Sequence, residues 1–197
     1  CTTGNGTGYG GVCKTVYVAK LGANGEPQLW HPSDSVKSNW VYWYRADDLS
    51  SPRSRMKVSA YNNRLYLLGG VTSASSTKSI VSTSEIASIS ATGVLGTWST
   101  STALPYAAYG YASQIYNDRI YLIGGSSAIN GAVLSTVYYS KISSTDGTLS
   151  SWQPTTALPA ARMTDGGEMS SAWGAYMYVS GGCSAKNPSG YCTTIEG

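Results

Sequence analysis

Asn117-Asp118-Arg119-Ile120-Tyr121-Leu122-Ile123-Gly124-Gly125 reads as a tight turn, a short apolar strand and a glycine doublet that ends it. Asn and Asp tolerate the left-handed backbone that a two-residue hairpin needs. Four of the five residues that follow, Ile120 to Ile123, are the β-branched, aromatic and aliphatic kind that fill a buried strand. The stretch has two counterparts. Asn62-Asn63-Arg64-Leu65-Tyr66-Leu67-Leu68-Gly69-Gly70 repeats it upstream, and Tyr176-Met177-Tyr178-Val179-Ser180-Gly181-Gly182 repeats its second half downstream. The doublets begin at residues 69, 124 and 181, so they recur after 55 and then 57 residues. A fixed period of this size means stacked supersecondary units.

Other markers keep the same register. Gly93-Val94-Leu95-Gly96-Thr97-Trp98 precedes Leu104-Pro105, and Gly147-Thr148-Leu149-Ser150-Ser151-Trp152 precedes Leu158-Pro159. Upstream, Gly25 stands five residues before Trp30, as in the other two copies. One unit then decomposes by alternation and turn punctuation. Tyr109 to Tyr116 is a strand, Asn117-Asp118 a hairpin turn, Arg119 to Ile123 a second strand, Thr136 to Ile142 a third, and Asp146-Gly147 turns the chain into a fourth that ends at Trp152. Four antiparallel strands in about 55 residues make one propeller blade.

Composition agrees. Only 12% of the 197 residues are charged, and there is no Phe against 16 Tyr, 6 Trp and 23 Gly. That is the profile of short strands and polar turns, not of helices. The net charge is +3, and the 13 Lys and Arg are scattered without a basic stripe, which argues against a nucleic-acid partner. No apolar stretch reaches the roughly 18 residues of a membrane span.

The Gly-Gly doublet, the Tyr before it and the Trp beyond, repeated in register over nearly the whole chain, resemble the kelch repeats of galactose-oxidase-type β-propellers. The resemblance implies an all-β fold of about three blades of four antiparallel strands. Lettered a to d from the propeller axis outward, the a strands fall near 54–61, 109–116 and 165–172, and the b strands near 64–68, 119–123 and 175–180. The c strands fall near 14–21, 80–89, 134–142 and 192–196, and the d strands near 27–31, 95–99 and 149–153. The chain reads as a single propeller segment over 1–197, with blade pieces 1–31, 49–99, 104–153 and 158–197 and an insertion at 33–48. It starts and stops inside blades, so it is expected to be an arc of a larger ring, completed by further sequence or by a second copy.

Cys1 and Cys13 flank one b–c loop, and Cys183 and Cys192 flank another. Two same-loop disulfides, Cys1–Cys13 and Cys183–Cys192, are the expectation, each contributing roughly 2–3 kcal/mol on the chain-entropy model. Persistent disulfides point to an oxidising compartment, hence a secreted or cell-surface protein. A four-cysteine zinc site usually has pairs two to four residues apart, unlike these. Lipidation at Cys1 would strand Cys13. Asn5-Gly6-Thr7 matches the N-glycosylation pattern.

Catalytic chemistry is sparse. His31 is the only histidine, so Ser–His–carboxylate catalysis would have to pass through it and multi-histidine metal sites are excluded. The copper ligand set of galactose oxidase, with its two histidines, is not matched. Asp146-Gly147 lacks the spacing of a sialidase Asp box, and no observation assigns Arg53, Arg55 and Arg162 to that family's arginine triad. Asp47 and Asp48 are sequence neighbours, which on a strand would point to opposite faces. The chain is therefore expected to be non-catalytic, with no cofactor.

Binding is the better expectation. In a four-stranded blade the d–a and b–c loops share one face. Trp30 to Leu49 is 19 residues, against 6 from Trp98 to Leu104 and from Trp152 to Leu158, so the first d–a connection is expected to carry an insertion onto that face. It contains Trp40, Tyr42, Trp43, Tyr44 and Arg45, and Arg53 and Arg162 stand at the mouths of two a strands. Aromatics with Arg compose interface hot spots, and ring faces also stack on sugars. These seven residues are the candidate ligand-binding set for a protein or glycan. Two alternatives are a structural subunit of a surface array or filament, and a propeller domain of a secreted carbohydrate-active enzyme whose catalytic residues lie outside this segment.

Overall fold

In a computed structural model, residues 12–31, 40–72, 79–164 and 170–193 are described. The expected site residues Cys1 and Asn5 lie outside them. The described chain is all strands and turns. β1 (Val16–Val18), β2 (Lys20–Leu21), β3 (Pro27–Gln28) and β4 (Tyr44–Ala46) form the first unit. β5 (Lys57–Tyr61), β6 (Arg64–Leu68), β7 (Ser84–Ser88) and β8 (Ser99–Ser101) make a four-stranded antiparallel sheet in sequence order. β9 (Ala112–Tyr116), β10 (Arg119–Ile123), β11 (Val137–Lys141) and β12 (Gln153–Thr155) make a second. The hairpin of β13 (Ser170–Trp173) and β14 (Tyr176–Val179) begins a fourth unit.

The turns form as their residues dictate. Asn62 and Asn63 have φ of 45° and 56°, Asn117 and Asp118 48° and 56°, the signature of a tight hairpin with both central residues left-handed. They fix the registers Tyr61↔Arg64 and Tyr116↔Arg119.

The doublets Gly69-Gly70 and Gly124-Gly125 are inter-blade joints. Gly124 has φ +63°, and a Cβ placed there would lie 2.3 Å from the carbonyl oxygen of Arg162 in the next blade. Gly125 donates its N–H to that same carbonyl at 2.8 Å, as Gly70 does to Ala108 O at 2.8 Å. Positive φ and a backbone in contact with backbone both demand glycine. A second joint precedes each a strand. Leu49, Leu104 and Leu158 donate their N–H to Lys14, Ser82 and Ser135 O, and Arg53, Ala108 and Arg162 donate to Cys13, Val81 and Leu134 O. Every blade is thereby stitched to the c strand of the blade before it.

The d strands run two residues further than expected, and each is broken by a bulge. Ile89 bridges Leu95, yet the ladder resumes at Ile86↔Ser99, so three residues oppose two. Ile142↔Leu149 and Tyr139↔Gln153 repeat the pattern. The extra residue kinks the strand, and the last residue of each bulge is the recurrent tryptophan, Trp98 or Trp152. Trp98 packs with Leu49, Leu67, Ala87 and Leu95, against Val16 and Ala46 of the first unit. Trp152 packs against a core shared by Tyr66, Leu68 and Ile86 of one sheet and Tyr111, Ile120 and Leu122 of the next. Burying such faces between sheets is what stabilises a blade that would be marginal alone.

The insertion is placed differently from the expectation. β3 and β4 pair with β2 and β1, two halves of one c strand, so they are two halves of one d strand. Trp30 sits three residues beyond Pro27, as Trp98 does beyond Leu95, and Tyr44 occupies the place of Ser99. The 13 residues between Trp30 and Tyr44 are therefore inserted in the middle of strand d, and 32–39 of them lie outside the described residues. Tyr44–Ala46, expected within the insertion, are strand residues. The insertion point is thus in the outermost strand of the first unit, not in the d–a loop.

Candidate functional site

Val41 and Trp30 exchange two backbone hydrogen bonds of 3.0 Å, so the chain returns beside the residue it left. Tyr44, where the chain re-enters strand d, lies on the same patch. Its ring meets Trp30 edge-on at 6.0 Å and His31 at 5.0 Å. Trp30 is buried and forms the floor. Tyr42 and Trp43 project outward, 54% and 58% exposed. Trp30, His31 and Trp40 line a groove of about 640 Å³ together with Lys20, Gln28 and Gly93 among others. Gly93 comes from the c–d turn of the next blade, so the groove spans two units.

The seven expected ligand residues thus divide. Trp40 lines the groove, and Tyr42 and Trp43 stand exposed. Tyr44 packs internally. Arg45 donates from one nitrogen to both carboxylate oxygens of Asp48 at 3.1 Å, and Lys14 reaches Asp48 at 3.4 Å. The hydrogen bond from Arg45, assisted by Lys14, holds the Asp48 carboxyl below its usual range. Arg45 is thereby occupied at the surface.

Arg53 leaves the set. Its side chain is 2% exposed and pairs with Glu85, 1% exposed. Its Nη1 also donates to the carbonyls of Gly69 and Thr83 at 3.1 Å. The neighbouring blade does this job without a cation: Tyr106 donates to Gly124 O at 3.1 Å and lies 3.4 Å from Thr136 Oγ1, at the equivalent positions. Arg53 thus serves the joint itself, donating to the Gly69 carbonyl and sharing Thr83 O with the Gly69 N–H. Arg162 is half-buried and donates to Ala161 O at 3.0 Å, and it stands apart from the insertion in the fold.

Cys183 and Cys192 are bonded, with Cα atoms 5.7 Å apart, as expected. Cys13 is also disulfide-bonded. Its expected partner, Cys1, lies outside the described residues. Among the described residues no three His, Cys, Asp or Glu side chains gather as metal ligands would. Arg55, left out of the expected ligand set, reaches the Cys183–Cys192 loop through Gly190 O. Its signal was present only in the register: it occupies the position that Gly110 holds one blade later.

No family model and no curated protein matches the sequence. Solved structures do match, 117 chains in all. One is YjhT, a kelch-repeat propeller, with a TM-score of 0.54 and 15% identity over 73% of this chain and 42% of that one. The aligned part thus spans under half the length of YjhT. At this identity the likeness concerns the fold alone, and it agrees with the sheets described above: the chain is an all-β protein whose four-stranded antiparallel sheets are propeller blades.

Proposed function

We propose that the chain is a secreted or cell-surface recognition module, non-catalytic, that binds a protein or glycan at the outer edge of its first unit. The observation that supports this most is the excursion of residues 31–43 from the middle of a strand. The two complete blades carry nothing there: Trp98 is followed at once by Ser99, and Trp152 by Gln153. Breaking a d strand costs ladder hydrogen bonds, and the segment spends them on two exposed aromatics and on a groove of about 640 Å³ that His31 and Trp40 help line. Aromatic faces with amide and cationic neighbours, here Gln28 and Lys20, suit sugar rings and peptide side chains alike. The Cys183–Cys192 bond fits an oxidising location.

The test is to screen the purified chain on glycan and peptide arrays beside the variant Tyr42→Ala/Trp43→Ala. Retained signals in the variant would sink the reading, and selective loss supports it.

A structural subunit of an array is the second reading. It draws on Trp173, Tyr176 and Tyr178, 75%, 65% and 53% exposed on the β13–β14 hairpin. It predicts concentration-dependent assembly that the Trp173→Ser variant weakens.

A further inference from the structure

On the loop side of the blades, away from the outer groove, three units converge on the ring of Tyr109. The starts of successive a strands meet the b–c loops there: Ser54 bridges Val71, Tyr109 bridges Ser126, and Met163 bridges Cys183. Two cations face that ring. The Arg55 guanidinium lies 5.6 Å from its centroid and 4.2 Å from the centroid of Tyr191. The Lys186 ammonium lies 5.2 Å from it. Among the described residues neither is within ion-pair distance of a carboxylate, although Arg53, Arg45 and Lys14 all are.

The two cations are held differently. Lys186 donates to Tyr109 Oη at 3.1 Å, to Ser126 Oγ and to Ala128 O, so its three N–H groups are spent. It anchors the disulfide loop and adds charge. Among the described residues Arg55 donates once, from Nη1 to Gly190 O at 3.1 Å. A guanidinium has five N–H donors, so most of its fork is open.

Arg55 also occupies a backbone position meant for glycine. Its φ is 54°, and the residue in the same register of the next blade is Gly110 with φ 62°. An L side chain in that region is strained, and strain of this kind gathers at binding sites. Packing alone does not ask for an arginine here, because the next blade closes with none.

We propose that Arg55, backed by Lys186 and framed by Tyr109 and Tyr191, binds an oxyanion, the carboxylate or phosphate group of a ligand. The planar fork matches either group in two parallel hydrogen bonds, and the aromatic rings hold the guanidinium flat. Tyr191 and Lys186 both lie between Cys183 and Cys192, so the bond that closes this loop also fixes the site's far wall.

The experiment uses tyrosine-labelled protein and follows the Tyr109 and Tyr191 ring resonances by NMR. Sodium acetate and sodium phosphate are titrated separately to about 100 mM at constant ionic strength. Saturable shifts are expected, and the anion that saturates first identifies the ligand chemistry. In Arg55→Gly, which the backbone accepts as Gly110 does, the saturable response should vanish while the remaining spectrum keeps its dispersion. Arg55→Lys keeps the charge without the fork and should bind about tenfold more weakly. Shifts that never saturate in the native chain overturn the proposal, and so does unchanged saturation in Arg55→Gly.

Discussion

Arg53 and Glu85 form an ion pair sealed between an a strand and the c strand of the same blade, with side chains 2% and 1% exposed. Ser50 completes the shell, its hydroxyl 2.6 Å from one Glu85 oxygen and its N–H 3.2 Å from the other. Burial opposes the charge on Arg53 and Glu85 supports it. Breaking such a pair from one side leaves an uncompensated charge, a loss of about 3–5 kcal/mol. Glu85→Gln should lower the urea midpoint accordingly, and Arg53→Met/Glu85→Met should recover much of the difference. Equal stability of the single variant and the native chain would show that the pair contributes nothing.

Tyr111 locks two blades. It is fully buried, donates to Leu68 O and accepts the Lys57 N–H at 3.1 Å, both in the neighbouring sheet. Tyr111→Phe strands those groups and should cost about 1–3 kcal/mol. Burial raises the phenol above its ordinary value of 10.0. Its folded-state pKa exceeds the unfolded one, so the contribution is whole below pH 10.0 and declines as pH rises beyond it. Unfolding followed from pH 8 to 11 should show that decline in the native chain and a shallower one in Tyr111→Phe.

Cys183 and Cys192 close a loop of nine residues' separation. Replacing both with Ser should cost roughly 2–3 kcal/mol if the loop-closure account holds. Hydrogen exchange should quicken at the Asn187 N–H, which donates to Tyr191 O at 2.8 Å, and at the Tyr191 N–H, which donates to Asn187 Oδ1 at 3.0 Å, both inside the loop. Unchanged exchange would show that the turn holds its shape without the bond.

Deleting residues 31–43 joins Trp30 to Tyr44, the junction that Trp98-Ser99 and Trp152-Gln153 already make. The shortened chain should keep its strand circular dichroism and lose less than about 1 kcal/mol, since the new junction is the one both complete blades already use. Collapse of the fold would mean that the segment is a structural brace.

Asp146 sits at the exposed c–d turn, accepting from the Thr148 N–H at 3.1 Å and its hydroxyl at 2.9 Å. Hydrogen bonding, from Ser143 first and Thr148 next, lowers its pKa to about 2. The turn's contribution is therefore whole above the ordinary carboxylate range and fades as pH falls toward 2. NMR titration of the Asp146 carboxyl carbon checks this, and a midpoint near 3.8 would refute it.

The blades were legible because their signals are local. Asn117-Asp118 and Gly124-Gly125 demand backbone conformations that few other residues adopt, so turn, strand and joint can be read in order along the chain. Trp98 and Trp152 marked the d strands without revealing the bulges, since a bulge is defined by the partner strand. The candidate sites were far less legible. Arg53 and Arg55 are two residues apart and alike in composition, yet one is buried against Glu85 and the other reaches Gly190 and Tyr191, 135 residues away. Trp30 to Leu49 showed that residues had been added, and pairing with Val16–Val18 located them within strand d. Backbone conformation and period are written in single residues and their spacing. Burial, charge pairing and the choice of a partner strand arise only when segments distant in sequence are brought together.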